Sequence, residues 1–189
     1  AWLRWRERRM KEGKPVDKPN LVISTGLQVV WEKFCKLWQI ELRQVPLTRE
    51  KRTLCAEDAI KLCDENTICV VGIAGVTWTG LNDDIEELDK ALDKYNAHTG
   101  HNIPIHVDGA SGGFILPFIQ PHHKWDFRLK WVVSISTSGH KFGLVYPGLG
   151  WVVWRDKSML PEEMSFSVNY LGAEVTQVGL NFSRPAAQI

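Results

Sequence analysis

The run Ile68-Cys69-Val70-Val71-Gly72-Ile73 has no polar position on either parity. A strand that stays apolar on both faces has to be covered on both, as a central parallel strand is by helices above and below it. The rest of the chain supplies such helices and more strands. Residues 21–24 read as a short strand. Residues 28–38 read as a helix in which Val29, Val30, Phe34 and Leu37 recur at i, i+1, i+5, i+8. Residues 40–45 alternate as a strand does, and 56–63 suit a short helix. Residues 83–98 form the clearest helix, with Ile85, Leu88, Leu92 and Tyr95 on one face and Gly100 in the closing position. Strands follow at 103–107, 131–136 and 150–154, with a glycine-rich turn at 109–113. Strands and helices in this alternation predict βαβ units: an α/β fold with a mainly parallel sheet and flanking helices.

Composition sets the class. The 189 residues are 44% hydrophobic and 24% charged, as in a globular protein with its own core. A net charge of +1 argues against a general nucleic-acid partner, which needs a basic excess. No stretch approaches the ~18 apolar residues of a membrane span, and residues 2–18 are too basic for a signal peptide. The basic run at 2–12, with Arg4, Arg6, Arg8, Arg9 and Lys11 among glutamates, reads as a surface helix that docks its tryptophan face. Cys35, Cys55, Cys63 and Cys69 lack C-x-x-C spacing and read as reduced thiols of a cytoplasmic protein. The paired histidines 98/101 and 122/123 have no companion ligands, so no metal is expected. A first residue other than methionine, and a helix-like start at 185–188, read as the ends of a piece cut from a longer chain.

Three strand ends deliver polar groups. One leads to Thr77, one runs through His106-Val107 into Asp108, and one leads through Ser138 and His140 to Lys141. Ligands collect at such carboxyl ends. An aspartate closing an apolar strand calls for a cation. Singly, Asp108 also reads as a helix N-cap and Lys141 as a surface lysine. Jointly they suit pyridoxal 5'-phosphate, which bonds a lysine amine and needs an acid beside its pyridine nitrogen. Small residues after Asp108 let a planar ring approach the backbone.

His106-Val107-Asp108-Gly109-Ala110-Ser111-Gly112-Gly113-Phe114 and Ser138-Gly139-His140-Lys141-Phe142-Gly143 resemble the two signature segments of the pyridoxal-phosphate group II decarboxylases. Asp64-Glu65-Asn66-Thr67-Ile68 and Asn181-Phe182-Ser183-Arg184-Pro185-Ala186 narrow the resemblance to the glutamate branch. It spans nearly the whole chain and implies part of a fold type I large domain, with 1–19 as basic helix and linker and 20–189 as α/β core. It implies decarboxylation of L-glutamate to 4-aminobutanoate and CO2.

By the same resemblance, Lys141 matches the lysine that holds the cofactor, and Asp108 the carboxylate at its pyridine nitrogen. Ala110 and Gln28 match the residues on the two ring faces, and glutamine instead of histidine at 28 itself suits the glutamate branch. Thr77 matches a hydroxyl near the phenolic oxygen. Ser138 and His140 match residues near the phosphate, and His140 also borders the substrate. His140 suits proton transfer and cofactor binding equally. Gly109 and Gly72 depart from the family's usual alanine and proline. The abundant tryptophans fit a large subunit contact, so a homo-oligomer is expected. Rival readings are a decarboxylase of another amino acid, a catalytically silent fragment, and a nucleic-acid binder using residues 4–11.

Overall fold

The computed structural model of the chain describes residues 1–164, 166–168 and 175–177. The apolar run lies within β3 (Thr67–Ile73), every residue of which is buried. Around it the sheet is ordered β2-β1-β3-β4-β5-β6. Its other members are β1 (Asn20–Ser24), β2 (Glu41–Val45), β4 (Ile105–Asp108), β5 (Val132–Ser138) and β6 (Gly150–Trp154). The first five strands run parallel, and β6 pairs antiparallel with β5. This is the α/β sheet expected. A further pair, β7 (Phe166–Val168) and β8 (Val175–Gln177), is antiparallel.

Alternation along the strands divides the core in two. Val22, Val70 and Val107 face α3 (Ala56–Lys61) and α4 (Ile85–Thr99), where Ala59, Ile85, Leu88 and Leu92 are buried. Leu21, Ile23, Cys69 and Val71 face the opposite layer, with Trp5 and Cys35. Each fully buried valine, leucine or isoleucine contributes about 1.5–3 kcal/mol, so coverage of β3 on both faces anchors the layers. Gly72 lies against α4: a Cβ there would come within 3.0 Å of Ile85 Cγ1. The small residue at this departure from the family pattern admits that helix.

Helix α4 lies where its apolar spacing and closing glycine put it, and the structure adds an N-cap. Asp84 caps it by accepting from the Glu87 N–H at 2.8 Å, and Gly100 ends it at φ 74°. Helix α1 (Trp2–Lys11) docks through Trp5, only 3% exposed. Arg9 is also buried: its guanidinium stacks on Trp5, and it donates to the Pro15 and Glu65 carbonyls.

Helix α2 (Val29–Leu37) buries only part of the face its periodicity suggested, since of Val29, Val30, Phe34 and Leu37 only Phe34 packs against the core. Val29, Val30 and Leu37 are 71%, 58% and 70% exposed, whereas Cys35 is buried and Trp31 and Phe34 pack against the core. The i, i+3, i+4 trio of Trp31, Phe34 and Cys35 covers the sheet. All four cysteines are free thiols. Burial raises those of Cys35 to about 11 and of Cys63 and Cys69 to about 12. Among the described residues no helix is long and apolar enough to cross a membrane. The segment 181–186 and the helix start at 185–188 lie outside the described residues.

Candidate active site

Parallel register brings the strand ends together. Asp108 stands opposite Ile73 on one side and Ser136 on the other. Beyond β3 the chain turns at Gly75 (φ +91°), and beyond β4 it turns through 109–111 into a 3-10 turn, Gly112–Phe114. The two turns touch, because the Gly112 N–H donates to the Ala74 carbonyl at 2.9 Å. A Cβ on Gly112 would lie 2.5 Å from that oxygen, so only glycine permits the contact. At Gly109 a Cβ would lie 3.0 Å from the Ser136 carbonyl, so the family's usual alanine would need a shift of tenths of an ångström.

A cavity of about 340 Å³ opens beside these turns. Thr77, Ser111, Gly112 and Lys141 line it. Lys141 follows β5 by three residues, is half-buried, and donates from Nζ to Ser111 Oγ at 3.2 Å. Ser138 ends β5, and its N–H donates to the Ala110 carbonyl at 3.3 Å. His140 is exposed and outside the cavity lining.

Asp108 is 8% exposed. Its Oδ1 accepts from the Ala110 N–H at 3.1 Å and its Oδ2 from the Trp31 indole N–H at 2.7 Å. Among the described residues no lysine or arginine forms an ion pair with it. Gln28 is the part-buried N-cap residue of α2, one turn before Trp31. The structure thus gathers Thr77 and Lys141 in one cavity and links Asp108, Ala110 and Ser138 through a single turn. Helix α2 connects Gln28 to that group.

The neighbouring base is His106. Its ring nitrogens lie 2.8 Å from Ser134 Oγ and 3.2 Å from Ser136 Oγ. Burial pushes the imidazole down to about 4, against the opposing pull of the Asp108 carboxylate. The unfolded chain therefore takes up this proton near pH 6.5 and the folded chain only near 4. Stability from neutral His106 is complete above about pH 6.5 and is lost as pH falls towards 4, at up to about 1.4 kcal/mol per unit. Urea midpoints at pH 7 and 5 should differ less for His106→Gln than for the parent. An unchanged difference would refute the assignment.

The group that these residues fit is pyridoxal 5'-phosphate. A buried carboxylate lacking a cationic partner calls for a positive charge, such as a protonated pyridine nitrogen. The primary amine, the cavity and the close-packed glycine turn supply the other requirements. Sequence reasoning singled out Asp108 and Lys141 but missed Trp31, which no motif marks beyond its place one turn after Gln28. It also gave no role to Ser111, the hydroxyl nearest the lysine amine.

Comparison with known proteins agrees. A glutamate decarboxylase of Lactococcus lactis subsp. cremoris is 54% identical over 98% of this chain and 40% of its own length. Glutamate decarboxylase 5 of Arabidopsis thaliana is 51% identical over 98% of this chain and 38% of its own. The chain thus spans about 40% of the length of these curated relatives. Among solved structures, Lactobacillus brevis glutamate decarboxylase superposes with a TM-score of 0.93 at 48% identity, over 98% of this chain and 43% of that one. Sphingosine-1-phosphate lyase of Burkholderia pseudomallei gives 0.78 at 27% identity, over 100% and 42%. The pyridoxal-dependent decarboxylase conserved domain matches residues 2–189. With that match over nearly every residue, and a lysine and an unpaired buried aspartate at adjacent strand ends, the chain belongs to the pyridoxal-dependent decarboxylase family.

Proposed function

We propose that this segment is part of the large cofactor-binding domain of a longer glutamate decarboxylase, which converts L-glutamate to 4-aminobutanoate and CO2. Within it, 1–19 form a basic helix and linker and 20–189 the α/β core. The observation that carries the reading is the buried, cation-free Asp108 one strand from Lys141, in a chain 54% identical to a protein named glutamate decarboxylase.

Lys141 would hold the cofactor and Asp108 would face its pyridine nitrogen. Ala110 and Gln28 would flank the ring, Thr77 would stand near the phenolic oxygen, and Ser138 and His140 near the phosphate. These roles rest on the family resemblance. When bound, the cofactor supplies a sink for the electron pair left on the α-carbon as CO2 departs. Lys141 can carry a proton at Nζ, and the half-buried amine beside Ser111 is held where it can reach a ligand in the cavity. A homo-oligomer is supported by Trp151, Val152 and Val153 of β6, which are 41–48% exposed. The cytoplasm is the compartment proposed, on the four free thiols.

The test uses the full-length protein with pyridoxal phosphate, borohydride reduction and peptide mapping, alongside CO2 release from a panel of amino acids. The expected result is label concentrated on Lys141 and CO2 from L-glutamate. Label scattered over surface lysines would refute the site, and preference for an aromatic amino acid would refute the substrate.

A further inference from the structure

Asp108 receives hydrogen bonds from two separate elements, and only one donor belongs to its own turn. The Ala110 N–H holds Oδ1 at 3.1 Å, while the indole N–H of Trp31, 77 residues away in sequence, holds Oδ2 at 2.7 Å. We propose that Trp31 is the positioning residue for Asp108: its N–H fixes the plane in which that carboxylate meets the cofactor's pyridine nitrogen. The inference rests on the function proposed above and adds to it a residue outside both signature segments.

Three features support the assignment. An indole nitrogen only donates, so this contact has one polarity, whereas a histidine in the same place could reverse. The indole is itself held. It meets Phe34 edge-on at 6.2 Å and 82°, and His106 at 5.5 Å and 62°. His106 is in turn held between Ser134 and Ser136 on β5. Finally, each carboxylate oxygen keeps a second acceptor direction after taking one hydrogen bond. Trp31 and Ala110 thus orient the group and leave it able to accept from a ligand. Because Trp31 lies one turn after Gln28, the same contact ties the start of α2 to the end of β4.

The test needs a variant that keeps the ring and removes the donor. Trp31→Phe does so in the full-length protein, and dissociation constants are measured by titrating the apo form with pyridoxal phosphate and with 1-deazapyridoxal phosphate. The second compound carries CH in place of the ring nitrogen, so it cannot use Asp108. Trp31→Phe should weaken pyridoxal phosphate about 10- to 100-fold, the usual span for a lost hydrogen bond to a charged group. The deaza compound should be weakened less than about threefold. Equal weakening of both, or of neither, overturns the proposal and leaves Trp31 as a packing residue. Parent protein that binds both compounds equally well would refute Asp108's contact with the nitrogen, and the proposal with it. Failure of the parent to bind pyridoxal phosphate at all would refute the proposed function itself. If Trp31→Phe does not fold, β-(3-benzothienyl)alanine at position 31 keeps the bicyclic shape, with sulfur in place of N–H, and serves in the same titrations.

Discussion

Replacing Lys141 with alanine in the full-length protein should abolish the borohydride-stable link to the cofactor and lower CO2 release from glutamate by about 10²–10⁴-fold or more, the range for a lost proton-transferring group. The amine is the nucleophilic side chain in the 340 Å³ cavity and the partner of Ser111 Oγ. A second variant, Lys141→Arg, keeps the positive charge but is far less able to act as a nucleophile at neutral pH. It should be nearly as inactive as the alanine variant. Both should fold, because Lys141 is only half-buried and no ion pair among the described residues depends on it. Turnover within tenfold of the parent in either variant, with folding confirmed by circular dichroism, would remove Lys141 from the mechanism.

The largest loss of stability is expected at Asp83. This carboxylate is fully buried, and its two oxygens accept from the Leu54 N–H at 2.8 Å and the Ile73 N–H at 2.7 Å. Its own N–H donates to the Ile73 carbonyl at 2.9 Å. Burial pushes its carboxyl up, and the two N–H donors partly offset this. Asp83→Ala leaves two buried N–H groups without acceptors, at about 1–3 kcal/mol each, so about 2–6 kcal/mol is lost. Against the 5–15 kcal/mol typical of a domain, that is a large fraction. Urea denaturation of parent and variant measures it directly. Because Ile73 leads into the turn that carries Thr77, cofactor affinity should fall as well. A change below about 0.5 kcal/mol would show that water or a nearby group replaces the carboxylate.

Several elements were legible because their signals are local. The apolar parity of β3 and the spacing and closing glycine of α4 each involve residues a few positions apart, and both elements lie where those signals put them. Asp108 and Lys141 were legible for a different reason. A buried carboxylate or amine at the end of an apolar strand is costly without a partner, so each invites a chemical explanation.

The sheet-facing side of α2 was not legible. Apolar residues occupy both sides of the helix, and the hydrophobicity of Val29, Val30 and Leu37 competes with that of Trp31, Phe34 and Cys35. Only the docking of the helix on the sheet decides which set is buried. The contacts that shape the site belong to the same class: Trp31 with Asp108, Lys141 with Ser111, Asp83 with Leu54 and Ile73. Residue periodicity reports on neighbours within a turn or a pleat, so it carries fold class, strands and helices. The cost of burying a charge at a strand end and the resemblance of the two signature segments mark the reacting groups. A hydrogen bond between residues 10, 29, 30 or 77 positions apart depends on turns, crossover paths and strand register. The folded sheet therefore decided which indole holds the aspartate and which hydroxyl meets the lysine.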